Sequence, residues 1–151
     1  MTVSERLAEL GISLPPPTTP MGSYVPARRA GDLLYLSGHV AKRDGRVVSG
    51  RVGDDIDVET ARALARQVAL DLVATAAEAV GGVDHLAGVV KVFGLVRSAA
   101  SFDQQPAVIN GASDQLVEIF GEAGRHARSA VGTGELPMGA ALEIEAIFAV
   151  A

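Results

Sequence analysis

Near the C-terminal end, two runs carry side chains that could do chemistry together. Arg128 is the one arginine in the otherwise apolar stretch Ala127-Arg128-Ser129-Ala130-Val131 that follows His126, and Glu143 and Glu145 lie two residues apart in Ala141 to Val150. Gly132-Thr133-Gly134-Glu135-Leu136-Pro137 joins the two runs, a connection that reads as a turn between strands. On a strand, residues two apart share a face, so Glu143 and Glu145 share theirs with Ile147 and Ala149. A face that passes from acidic to apolar within one strand is expected to be covered, with a polar hole in it. Arg128 and Glu143 are the candidates to line that hole. An arginine fork matches a carboxylate in bidentate fashion, which lysine cannot do. A glutamate on a partly covered face can position a water and move its protons. Pattern alone leaves open a solvated edge or a structural ion pair.

The elements that must position these residues follow from periodicity. Tyr24 to Arg29 and Leu33 to Ser37 read as strands joined at Ala30-Gly31-Asp32, and Asp44-Gly45 marks a turn before Val47-Val48. Asp57 caps a long helix with the stripe Ala61, Leu64, Ala65, Val68, Leu72, Ala76 and Ala79, while Arg62, Arg66, Asp71 and Glu78 fall off it. Gly81-Gly82 ends that helix. Leu86 to Val96 reads as a central strand, and a second helix runs from about Pro106 to Phe120. The order is βββαβαββ, an α+β fold with two helices on one face of a mixed sheet. Residues 1–20 read as a short helix, with Ser4 as its candidate cap, followed by a proline-rich arm. Residues 21–151 read as one domain. The strands at 33–36 and 89–96 look apolar on both faces, and two helices can cover only one face. The second face then calls for a second copy of the chain packed through the sheet.

Composition narrows the function. The chain has 151 residues, 48% of them hydrophobic, a formal net charge of −5 and no cysteine. This fits a folded domain with a substantial core and excludes disulfide, thiolate and zinc–cysteine chemistry. An acidic chain is a poor general partner for nucleic acid, because phosphate contacts dominate such binding. No apolar window approaches a membrane span, and the N-terminal stretch lacks the apolar core of a secretory signal, so a cytoplasmic protein is expected. His39, His85 and His126 are scattered without metal-ligand spacing, and no metal or cofactor is expected. Gly132-Thr133-Gly134 lacks the fingerprint of a phosphate loop.

Arg128-Ser129, Leu136-Pro137 and Glu143-Ile144-Glu145-Ala146, together with Gly22-Ser23-Tyr24-Val25, Leu36-Ser37-Gly38, Val90-Lys91-Val92 and Asn110, resemble the signature of the RidA/YjgF family. These are small trimeric imine deaminases, also described as endoribonuclease L-PSP or translation inhibitors. The resemblance covers roughly residues 21–151 and implies the chorismate-mutase-like trimer fold. It implies that Tyr24, Ser37, Gly38, Asn110, Arg128 and Glu143 lie in or beside a cleft between subunits, with the arginine on the substrate carboxylate and the glutamate positioning water. The chain departs from the short deaminases at His126, where they have Pro, at Ala130, where they often have Cys, and at Ser23, where they have Pro. It also adds the N-terminal arm, and its segment from Asn110 to Arg128 is one residue longer. Three functions follow as expectations: hydrolysis of a small 2-imino or enamine carboxylate, binding of a small carboxylate metabolite without turnover, and, least favoured, RNA cleavage or inhibition of translation.

Overall fold

The computed structural model describes residues 1–151. A short helix α1 (Val3–Glu9) opens the chain. Thr2 caps it rather than Ser4: its hydroxyl accepts from the Glu5 backbone N–H, and the Glu5 carboxylate accepts from the Thr2 N–H. Ser4 instead ties the helix to Asp84, to which it donates through its backbone N–H and its hydroxyl at 2.7 and 2.6 Å. Leu7 reaches the main core.

The sheet strands are β1 (Ala27–Ala30), β2 (Leu33–Leu36), β3 (His39–Val40), β6 (Leu86–Arg97), β7 (Ala127–Thr133) and β8 (Leu142–Val150). Two further strands, β4 (Lys42–Arg43) and β5 (Arg46–Val47), make a separate hairpin. The first strand is shorter than the sequence suggests, because Tyr24 to Pro26 leads into it without pairing. The main sheet runs β1-β2-β8-β6-β7, with β3 also against β8. Only β6 and β7 pair in parallel, across the crossover that carries the second long helix. The sheet is therefore mixed, as the alternation of strands and helices predicts.

Helices α2 (Val58–Val80) and α3 (Gln105–Phe120) lie together on one face. Asp57 caps α2 through the Thr60 N–H at 2.7 Å, and Gly81, with φ of +80°, ends it in the left-handed conformation that favours glycine. Between helices and sheet, the strands contribute every second residue: Val92 and Val96 from β6, and Leu142, Ile144, Ala146 and Phe148 from β8. The other face is bare in one chain. It carries Tyr35, Phe93, Leu95, Glu143, Glu145 and Ile147, with Tyr35 45% exposed. Both-face apolarity in β2 and β6 thus resolves into one face buried by helices and one left open and largely apolar.

Two helix residues depart from their expected places. Ala79, on the expected apolar stripe, is exposed in the last turn before Gly81, where the helix runs past the edge of the core. Asp71 does not point to solvent; it is 6% exposed, on the flank of α2 that meets β3, β4 and the N-terminal arm.

Candidate functional site

Alternation along β8 decides where Glu143 points. Ile144 is fully buried under the helices, so Glu143 faces the open side of the sheet. There it borders a cavity of about 220 Å³, with Tyr24, Ser37, Gly38, His39, Lys42 and Pro137 on its walls and Thr18 to Met21 of the arm over it. The Glu143 carboxylate makes no hydrogen bond or ion pair within the chain. Burial pushes its pKa up, and the neighbouring Glu145 charge adds to the rise. The carboxyl therefore keeps its proton to higher pH than a solvated glutamate. Gly38 lies directly against it, and a β-carbon there would overlap the carboxylate oxygen. Only a residue without a side chain allows this approach.

Ser37 is committed to the wall. Its hydroxyl donates to the Val25 carbonyl at 2.7 Å, and its N–H donates to the Pro26 carbonyl at 2.9 Å. These bonds pin the Tyr24–Pro26 segment to the end of β2. Tyr24 is 49% exposed, and its hydroxyl accepts from the Met21 N–H at 3.3 Å, joining segment to arm. The arm has a second anchor. Thr18 Oγ1 meets His39 Nε2 at 2.9 Å and Thr75 Oγ1 at 3.3 Å, while His39 Nδ1 lies 2.8 Å from the Ser37 carbonyl. Burial holds the His39 pKa down, so the imidazole is neutral, its Nδ1–H donating to Ser37 and its Nε2 accepting from a threonine hydroxyl.

Arg128 lies elsewhere. It pairs with Val92, a core residue, so its side chain rises on the helix-covered side of the edge strand β7. Its Nη1 donates to Asn110 Oδ1 at 2.7 Å and to Ser113 Oγ at 3.1 Å, both on α3. Those two bonds use the two hydrogens of Nη1. The Nε–H and the Nη2 hydrogens remain, a free edge of the shape that grips a carboxylate. Ser113 also meets His126 Nε2 at 2.9 Å, and His126 Nδ1 lies 2.6 Å from the Gly124 carbonyl. Burial first, then the nearby Arg128 charge, keep His126 neutral. The chain of contacts is consistent: His126 donates to Gly124, Ser113 donates to His126, and Arg128 donates to Ser113.

One chain thus brings Tyr24, Ser37, Gly38 and Glu143 to one cavity, and Arg128 to a second, more open recess that Ser113, Arg125 and His126 also line, with Asn110 holding Arg128 from outside that lining. Arg128 and Glu143 occupy opposite faces of the sheet and do not line a single hole within one chain. Sequence reasoning missed Ser113, although its i, i+3 spacing from Asn110 puts both on one helix face. It also missed Thr18 and Lys42.

A family model described as "YjgF/chorismate_mutase-like, putative endoribonuclease" matches residues 4–149. The chain belongs to this YjgF/chorismate-mutase-like family. Within it, protein TCP17 of Trypanosoma cruzi is 42% identical over 147 residues, covering 96% of this chain and 92% of that one. A 2-iminobutanoate/2-iminopropanoate deaminase of Dermatophagoides farinae is 33% identical over 138 residues, covering 90% and 92%. The crystal structure of Atu1372, a protein of unknown function from Agrobacterium tumefaciens, superposes with a TM-score of 0.89 at 40% identity, over 99% of this chain and 92% of that one. The YjgF fold accounts for the mixed sheet and its two covering helices. No helix is long and apolar enough to cross a membrane.

Proposed function

We propose that the protein hydrolyses small 2-imino or enamine carboxylates at a site completed between subunits, with Glu143 from one copy and Arg128 from its neighbour. The observation that carries this reading is the Glu143 carboxyl, partly desolvated and unpaired in a cavity. A group with its pKa raised in this way moves protons near neutral pH more readily than a solvated carboxylate. Kinship with an imine deaminase supports the same reaction class.

The chemistry needs no cofactor. The free Nε/Nη2 edge of Arg128 holds the substrate carboxylate, a charged contact worth about 1.5–3 kcal/mol. The adjacent imine carbon is electrophilic. Glu143 takes a proton from water as the water oxygen bonds to that carbon. The C=N electron pair moves onto the nitrogen, protonated as the iminium; the same carboxyl then gives its proton to that amine as the C–N bond breaks, and the carbinol O–H releases its proton to solvent as the C=O forms, leaving a 2-oxo acid and ammonia. The open apolar face of the sheet, with Phe93, Leu95 and Ile147, supports assembly through that face, and the family resemblance supports a trimer.

The test is 2-iminopropanoate hydrolysis, with the imine generated in situ by an amino-acid oxidase. Wild type is expected to accelerate it, and Arg128→Ala and Glu143→Gln each to lose most of that acceleration at substrate well below the wild-type KM. Mixing the two variants after dissociation and reassembly should restore about a quarter of the sites, because a shared site needs one intact residue from each neighbour. No restoration would place both residues in one chain's site. No wild-type turnover on several 2-imino acids, with carboxylate binding retained, would favour a binding protein instead.

A further inference from the structure

A second opening, of about 690 Å³, lies between the arm at Pro15 to Thr19, the hairpin at Lys42 to Gly45 and the flank of α2 that carries Ala63, Leu64, Gln67 and Asp71. It shares Thr18, Thr19 and Lys42 with the Glu143 cavity. Asp71 is its chemical centre. The residue is 6% exposed, lines the groove, and takes part in none of the ion pairs of the fold. The Gln67 amide, one turn earlier, and the Lys42 ammonium both favour its charged form, but neither is close and aligned enough to bond to it. Burial outweighs both and raises its pKa. A carboxylate buried this way is costly unless a cation or a donor meets it. At the rim, Lys42 and Arg43 also have no acidic partner.

The groove therefore offers a buried anion, Asp71, and a rim on which Lys42 and Arg43 outnumber the single carboxylate Asp44. A metal ion does not suit it, because no group of three His, Cys, Asp or Glu side chains gathers there. A simple carboxylate would meet Asp71 with like charge, and a simple amine would meet Lys42 and Arg43. A ligand that carries both charges meets neither obstacle. Lys42, Arg43 and Asp71 all line this one groove, so a ligand seated in it that meets both signs of charge carries its own two charges a short distance apart. Pro15 to Pro17 and Leu64 supply an apolar wall.

We propose that this groove binds a free aliphatic α-amino acid, its ammonium on Asp71, its carboxylate at Lys42 and Arg43, and its side chain against Pro15–Pro17 and Leu64. The site is separate from the Arg128 recess and does not depend on the deaminase reading. Because Thr18 and Thr19 wall both openings, its occupant would sit next to the Glu143 cavity.

Isothermal titration of the full-length protein tests this with three probes of equal skeleton: L-leucine, 3-methylbutylamine, which lacks the carboxylate, and 4-methylpentanoate, which lacks the ammonium. L-leucine is expected to saturate, and each single-charge analogue to bind at least about tenfold more weakly. Asp71→Asn keeps the shape and removes the charge, and should weaken L-leucine at least about tenfold. Lys42→Met should do the same, and decides the matter if Asp71→Asn does not fold. Glu135→Ala, which lies outside the lining of the groove, should bind L-leucine as wild type does. The proposal is overturned if L-leucine fails to saturate below about 10 mM, if either analogue binds equally well, or if both groove variants bind normally. It is also overturned if Arg128→Ala removes binding, which would assign the ligand to the other recess.

Discussion

Glu143 sits in a walled cavity and touches no donor, whereas Arg128 lies on an open edge strand and is held by Asn110 and Ser113. The acidic half is defined by what is kept away from it: part of the solvent by the arm and Tyr24, a side chain by Gly38, and any hydrogen-bond or ion-pair partner by the fold, with Lys42 on the wall but unpaired. The basic half is defined by what it is given, a row of neutral oxygen partners that fixes one nitrogen and leaves the other edge of the fork free. An acid that must exchange protons gains from desolvation. A cation that must hold an anion gains from fixed orientation and from having no competing carboxylate. The contrast also explains why one chain leaves the halves apart: neither is satisfied by the other in the folded monomer.

Glu143→Gln attacks the acidic half most directly and should lower turnover by about 10²–10⁴-fold, read by single-turnover hydrolysis, while substrate analogues still bind. The same change should stabilise the protein. A raised carboxyl pKa means the folded state binds the proton more tightly than the unfolded chain, so stability falls as pH rises from the ordinary 4.5 through the raised value. The variant should melt above wild type at pH 7, and the gain should vanish below pH 4.5. Next comes Arg128→Ala, expected to reduce kcat/KM by about 10–150-fold, mainly through KM, since it removes a charged contact of about 1.5–3 kcal/mol. Arg128→Lys should recover little of it, because the ammonium has no fork.

Gly38→Ala sharpens the comparison on the acidic side. Its β-carbon would displace the Glu143 carboxylate, so turnover should fall with KM nearly unchanged, and circular dichroism should show the fold intact. On the basic side, Ser113→Ala removes one bond to Arg128 and should cost about 1 kcal/mol, roughly fivefold, in KM and little in kcat. The smallest effect is expected at a surface ion pair that lines neither opening. Glu135 pairs with Arg51 and Arg97 at 3.0 and 3.2 Å but is itself 75% exposed, so Glu135→Ala should leave the chemical-denaturation midpoint close to that of wild type.

The sequence makes the acidic half easier to read than the basic half. Period-two alternation through Glu143, Glu145 and Ile147 places the glutamate on a face distinct from the core, and the β8 register agrees. The side of the sheet on which Arg128 stands depends instead on β7 joining β6 in parallel across α3, a pairing that no local pattern encodes. Both long helices were legible from spacing and caps. Asp71 was misread because a single apolar stripe leaves out the helix flank, and here that flank is covered by an arm and a hairpin distant in sequence. Thr18 and His39 escaped for the same reason: their contact closes a gap of 21 residues. Short strands such as β3 and β4 carry too few residues to show any period.

The position of β7 has one more consequence. It ends the sheet, and its outer backbone groups over Ala127 to Thr133 have no strand beside them. A seven-residue edge with no proline or lysine, and with Val131 exposed, has little to deter a stray strand from another chain. Dilution or acid that frees such an edge would invite clumping rather than clean reversible melting. Heating curves should then shift with protein concentration, and solubility should track whether this border is capped.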